Sequence, residues 1–212
     1  MKIKYSTYWR KTSFKQKNIG DFFLDEIRKK KPKNFLEIGI FHGVTSRNVC
    51  ELLYSIHKND FKFTGIDLFS NDSEVLKDEV IPNTKFSNPL KTMYYRYIVR
   101  LDPYSIKSVK KLLKKFIKNT NIIQGNSNEV LKKINLNEFD YVFLDGGHKF
   151  ETVKNDLENL TQVVVNRGTI LCDDYDLSYA PGVKNAINQY VKEKNFNLKI
   201  LHSRFAEITK IN

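Results

Sequence analysis

The stretch Asn34-Phe-Leu-Glu-Ile-Gly-Ile-Phe-His-Gly43 decides how this 212-residue chain folds. Its apolar first part, Asn34–Ile40 with Gly39 near the end, has the length and composition of a strand buried on both faces. A glycine there lets the backbone turn sharply and lets another group come close. Thr45–His57 then reads as a helix, with Val49, Leu52, Leu53 and Ile56 on one face. A dinucleotide fingerprint would read G-x-G-x-x-G at this point. The loop here is G-x-x-x-G from Gly39 to Gly43, with Glu37 two residues ahead of the first glycine. That departure points away from a pyrophosphate and toward a cationic or neutral ligand. An ordinary strand–turn–helix is the alternative.

Working outward, strand and helix alternate. A helix over 19–30 precedes the stretch. A second strand, Phe61–Asp67, follows it, then a helix over 104–118 whose stripe is Ile106, Val109, Leu112, Leu113, Phe116 and Ile117. Beyond lie a strand at 121–124, a helix at 129–134, a strand at 139–145, a helix at 151–164, a strand at 168–173 and a helix at 182–193. Two strands in direct succession, 196–201 and 205–209, close the series as an antiparallel hairpin. The expected fold is α/β: a Rossmann-like, doubly wound, mostly parallel seven-stranded sheet with a C-terminal antiparallel hairpin. One domain over 1–212 is expected, with a basic, helical N-terminal segment 1–33. Residues 69–103 carry Pro82, Pro89, Pro103 and a tyrosine cluster (Tyr94, Tyr95, Tyr97), and read as an insertion or lid.

In such sheets ligands bind beyond the carboxyl ends of the strands. Four strand ends here carry glycine or acid: Glu37–Gly39, Asp67, Asp145 and Asp173–Asp174. An acid in the position of Asp67 can accept both hydroxyls of a ribose.

Glu37-x-Gly39 combined with Asp67 resembles the class I S-adenosylmethionine-dependent methyltransferases, over residues 34–209 apart from 69–103. The resemblance implies a glycine loop beside the methionine portion of the cofactor, Asp67 on the ribose, and Asn126 and Ser127 near the adenine. The cofactor set it implies is Glu37, Gly39, His42, Gly43, Thr45, Ser46, Asp67, Leu68, Asn126, Ser127 and Asp145. Asp145-Gly-Gly-His148, followed by Phe150-Glu151 and Asp156-Leu157, is similar to the subgroup of macrocin-type sugar O-methyltransferases and cephalosporin-hydroxylase-like proteins. Asp173-Asp174-Tyr175 and Pro181-Gly182-Val183-Lys184 match the same subgroup.

Three carboxylates, Asp145, Asp173 and Asp174, would converge at neighbouring strand ends. Without a cation they would repel, and one would have to take up a proton. A hard divalent ion, Mg²⁺ first, would relieve this. The 28-residue separation of Asp145 and Asp173 also resembles the Mg²⁺-dependent catechol-type enzymes. His148 stands where those enzymes carry a lysine base, and histidine suits proton transfer near neutral pH. Asp145 is its rival for that role, and a His148 that only orients a carboxylate is the alternative. His42 either touches the cofactor or is solvated. No [DN]PPY follows the fourth strand and no cysteine nucleophile is placed for C5-pyrimidine chemistry, so a hydroxyl acceptor is expected. A sugar or other small polyhydroxylated molecule fits the resemblance.

The net charge of +12 is concentrated. Residues 1–33 contribute +8 and residues 103–118, with six lysines and no acid, +6. An RNA-modifying enzyme that holds phosphates on these patches is a second reading, although no known RNA-binding motif is present. A non-catalytic binding module on the same fold is a third. Cys50 and Cys172 sit in apolar stretches and read as reduced core residues. No apolar run has the roughly 20 residues of a membrane span and residues 1–14 lack a signal-peptide core, so a cytoplasmic protein is expected. A homo-oligomer is compatible with the sequence.

Overall fold

The computed structural model describes residues 10–15, 17–70, 86–178 and 180–211. Seven strands form one sheet: β1 Asn34–Ile38, β2 Lys62–Asp67, β3 Thr120–Gln124, β4 Tyr141–Leu144, β5 Thr169–Cys172, β6 Asn197–Leu201 and β7 Phe205–Thr209. Their order is β3-β2-β1-β4-β5-β7-β6. The first five are parallel, and β7 is antiparallel to both β5 and β6. The sequence-based fold therefore stands.

The central strands β1, β4 and β5 are almost wholly buried because helices cover both faces. Every residue of β4 and β5 is buried. On one face lie α1 (Lys17–Lys30) and α2 (Val44–His57), with Phe14, Phe23, Leu53, Phe63 and Val109 in their shared core. On the other lie α6 (Phe150–Asn159), α7 (Thr161–Val165) and α8 (Pro181–Lys194), packed through Val153, Leu157, Ile187 and Tyr190. Full burial of each large apolar side chain contributes roughly 1.5–3 kcal/mol. Shorter helices are α3 (Pro89–Met93), α4 (Ile106–Leu112) and α5 (Ser127–Val130).

The chain leaves β1 toward β2 and β3, then returns to β4 on the other side of β1. This reversal opens a crevice beyond the ends of β1 and β4. Ile38 is level with Leu144, so the residues that follow, Gly39 and Asp145, meet at its floor.

Several elements differ from the expectation in extent. The helix expected over 104–118 is α-helical only over Ile106–Leu112, and continues as a 3₁₀ turn at Lys114–Phe116. The tighter winding rotates Phe116 into the core and leaves Ile117 70% exposed, so Ile117 does not belong to the buried stripe. The helix expected over 151–164 is broken at Leu160 into α6 and α7. The helix expected over 129–134 begins earlier and ends at Val130. β1 stops at Ile38 because Gly39 turns away.

Of the expected insertion 69–103, residues 71–85 lie outside the described residues, as do 1–9 of the basic N-terminal segment. The remainder of the insertion is ordered as α3, capped by Asn88, and a π-helical turn at Tyr94–Val99. Both cysteines are free and buried. Among the described residues no helix is long and apolar enough to cross a membrane.

Candidate functional site

The crevice is built around Gly39. Its φ is +89°, and a Cβ there would lie 1.8 Å from the carbonyl oxygen of Asp145. Only glycine allows the β1 and β4 ends to approach so closely. The loop then passes through Phe41 at φ +52° before Gly43, at φ +73°, opens α2. Asp67, at the end of β2, fastens this loop. Its Oδ2 accepts the backbone N–H groups of Ile40 and Phe41, both at 2.8 Å. Its Oδ1 accepts the Phe69 N–H at 2.7 Å and the Tyr104 hydroxyl at 3.0 Å. Burial raises the Asp67 pKa, and these four bonds oppose the rise.

Glu37 is completely buried beneath the loop. Its Oε2 accepts the Ser46 hydroxyl at 2.5 Å, while Oε1 accepts no hydrogen bond among the described residues. Burial, opposed by the Ser46 bond, pushes its pKa up to about 8. A buried acceptor without a donor is costly, and an ammonium group is the kind of partner that would satisfy it. Glu37 Oε1 could take the ammonium group of S-adenosylmethionine, whereas a ribose hydroxyl on Asp67 would have to displace one of its four internal donors. Ser46 would act only through Glu37, since its hydroxyl is already committed, and Thr45 is buried at the start of α2. The Leu68 carbonyl is tied to the Gln124 side-chain amide at 3.1 Å, which joins the β2 and β3 ends. Asn126 caps α5 through the Asn128 N–H, and Ser127 is the first residue of that helix.

His42 is not solvated. It is wholly buried, and its Nδ1 accepts the Lys11 backbone N–H at 3.1 Å. Burial, with Arg10 and Lys11 nearby, drives its pKa down to about 3, so the ring is neutral. Arg10 crosses the same region. It donates to the His42 carbonyl at 2.8 Å and to the Ser108 carbonyl and hydroxyl at 3.0 and 2.9 Å. The N-terminal segment thus straps the glycine loop to α4. Nothing in the composition of residues 1–33 singled out Arg10 among eleven basic side chains.

The acids converge as their spacing implied. Asp145, Asp173 and Asp174 line one small cleft with Gly146, Gly147 and His148. The His148 Nε2 lies 2.9 Å from Asp174 Oδ2. Burial and the charges of Asp173 and Asp174 push the Asp145 pKa well above the usual carboxylate range. The counter-charge is a residue that the sequence reading missed. Arg204 donates from Nε to Asp173 Oδ1 at 2.5 Å and from Nη2 to Asp173 Oδ2 at 2.6 Å, and lies 3.4 Å from Asp174 Oδ1. Burial would lower its pKa, but Asp173, Asp174 and Asp145 more than offset this and keep it protonated. At Asp173 and Asp174 the repulsion that argued for Mg²⁺ is met by a guanidinium, while Asp145 stays pushed toward its protonated form. Both Asp173 oxygens are taken, and among the described residues no group of three His, Cys, Asp or Glu side chains is arranged to hold a metal ion. The donor set does not fit a divalent ion. Arg204 was legible only through register: β5 pairs antiparallel with β7, Cys172 opposite Ala206, which carries residue 204 to the level of residue 174.

A family of methyltransferase domains matches residues 36–175. The chain belongs to this family. A curated relative, the uncharacterized protein R132 of Acanthamoeba polyphaga mimivirus, is 26% identical over 155 residues. The match covers 67% of this chain and 64% of that protein, so the methyltransferase domain spans just under two thirds of its relative's length. Among solved structures, the O-methyltransferase NovP superposes with a TM-score of 0.61 at 17% identity, over 92% of this chain and 81% of NovP. CalS11, a TDP-rhamnose 3′-O-methyltransferase of calicheamicin biosynthesis, gives 0.60 at 14% identity, over 92% and 81%. The Podospora anserina methyltransferase PaMTH1, solved with S-adenosylhomocysteine, gives 0.59 at 15% identity, over 99% and 83%. At these identities the likeness is one of fold.

Proposed function

We propose that this methyltransferase domain moves a methyl group from S-adenosylmethionine to a hydroxyl of a small polyhydroxylated acceptor, a sugar first among them. The observation that carries the reading is the His148–Asp174 pair, set in one cleft with Asp145 at the end of the Gly39 crevice. When bound, the cofactor supplies an electrophilic sulfonium methyl. The chain supplies the rest. Glu37 Oε1 takes the ammonium group and Asp67 the ribose. Asp174, 2.9 Å from the His148 Nε2, would fix the orientation of the ring. His148 would take the proton of the acceptor hydroxyl. Asp145 is the second candidate for this base. CalS11, with its sugar acceptor, is in keeping with the substrate class.

The acceptor would lie under the insertion. A cavity of about 710 Å³ is lined there by Phe86, Tyr95, Arg96, Arg100, Asp102 and Pro103 among others. The Phe86 and Tyr95 rings stack with centroids 5.3 Å apart, and Phe86 reaches the glycine loop at His42, 5.8 Å between centroids. Such an aromatic wall suits a sugar ring.

Calorimetric titration with S-adenosylhomocysteine, followed by a methyl-transfer screen over sugars and glycosides, tests the reading. His148→Gln is expected to bind the cofactor product as the wild type does and to lose about 10²- to 10⁴-fold in turnover. Folded wild-type protein that binds no S-adenosylhomocysteine would sink the enzyme reading.

A further inference from the structure

We propose that Arg204 is the built-in cation of this site, and that the acid trio Asp145, Asp173 and Asp174 works without a divalent metal. The first support is geometric. A planar guanidinium presents two parallel N–H groups to one carboxylate, and Arg204 uses Nε and Nη2 in that way on Asp173, at 2.5 and 2.6 Å. The same Nη2 lies 3.4 Å from Asp174 Oδ1. Asp174 in turn meets His148 through its other oxygen, so one cation connects to both adjacent acids and, through them, to the histidine.

The second support is the seat of the guanidinium. Its carbon lies 5.0 Å from the centroid of Phe14 and 5.7 Å from that of Phe205. Aromatic faces thus line the cation while carboxylates meet its edge, and the side chain is only 14% exposed. Its backbone is fixed as well. The Arg204 carbonyl accepts the Tyr175 N–H at 2.8 Å, which ties the β6–β7 turn to the loop after β5. Nothing about Arg204 is a swinging surface arginine.

These facts bear directly on a metal. An ion bound by all three acids would need an Asp173 oxygen, and both are committed to Arg204. Displaced, the guanidinium would stay against two phenylalanine rings without its carboxylate, a buried charge that lacks its partner. In the methyl-transfer reading, on which only this last point rests, the Asp174–His148 pair positions the base while Arg204 holds the acids in place. Arg204 is then a positioning residue, and proton removal falls to a side chain rather than to a metal-bound oxygen.

The test is Mn²⁺ binding, read by electron paramagnetic resonance and calorimetry on the full chain, with S-adenosylhomocysteine binding measured on the same samples. The wild type is expected to take up no Mn²⁺ at micromolar to low millimolar concentration, and chelator treatment should leave its S-adenosylhomocysteine affinity unchanged. Arg204→Ala should gain one Mn²⁺ site of at least tenfold higher affinity than the wild type, and Asp173→Asn on that background should abolish it. Should the alanine protein not fold, Arg204→Gln is measured instead. Stoichiometric Mn²⁺ binding to the wild type, lost in Asp173→Asn, would overturn the proposal. So would an Arg204 variant that folds and gains no site. Loss of S-adenosylhomocysteine binding with the Mn²⁺ pattern as expected would instead refute the cofactor reading and leave the built-in cation standing.

Discussion

Replacing Tyr104 by phenylalanine removes a single oxygen, and the structure says which way cofactor affinity should move. The Tyr104 hydroxyl donates to Asp67 Oδ1 at 3.0 Å, on the carboxylate proposed above to take the ribose. A hydrogen bond to a charged acceptor is worth about 1.5–3 kcal/mol. Asp67 Oδ1 keeps the Phe69 N–H at 2.7 Å, so a net loss of about 1–2 kcal/mol in the ligand-free protein is expected. If the ribose replaces the phenol on Asp67, the complex does not feel the change. The whole loss then appears as tighter binding, about 5- to 30-fold. Tyr104→Phe should therefore melt at a lower temperature without ligand, yet bind S-adenosylhomocysteine more tightly by calorimetry. Equal or weaker binding would refute the reasoning and make Tyr104 a support of the bound cofactor rather than its competitor.

Gly39→Ala combines a left-handed backbone, about 1–2 kcal/mol, with a forced shift of the Asp145 carbonyl, about 1–3 kcal/mol. A melting temperature lower by roughly 5–15 °C follows, and calorimetry that shows a drop under about 2 °C would mean that the two loops are not in contact. Glu37, with its pKa raised from 4.5 to about 8 by burial, is protonated in the folded state over a range in which the unfolded chain has lost that proton. The unfolded state binds fewer protons there, so stability falls as pH rises from about 4.5 toward 8. Glu37→Gln lacks this term, so in urea denaturation its stability relative to wild type should improve between pH 5 and pH 8.5; parallel pH curves would count against the assignment.

The parallel half of the sheet was legible because β1, β4 and β5 are mostly apolar on both faces, with Glu37 the buried exception in β1, and two-sided burial leaves that trace. The acids at the strand ends were legible for a related reason: β4 and β5 sit side by side in register, Leu144 level with Cys172, so residues just past them must converge. The partner of those acids was not. Arg204 lies about thirty positions from Asp173 and Asp174 in a short turn at His202–Ser203, and it reaches them only by antiparallel pairing across the sheet. Arg10 was hidden in the same way, as one basic residue in a basic stretch, until the fold laid it over the His42 carbonyl. Local pattern reports which face is buried; it does not report what a long side chain reaches across the sheet.

The hairpin that carries Arg204 also sets an order of events at the ribosome. Glu37, Asp67, Asp145, His148, Asp173 and Asp174 all precede residue 204. A nascent chain can therefore stack five parallel strands while its trio of acids still lacks a counter-ion and β5 still presents an open edge. Docking of β7 closes that edge and delivers the guanidinium in one movement. Until then the half-made domain is a cluster of crowded acids beside an unpaired strand, the kind of intermediate that aggregates unless chaperones hold it. Supply of the counter-charge to the acids and completion of the sheet are one step, so a domain interrupted before the hairpin has neither.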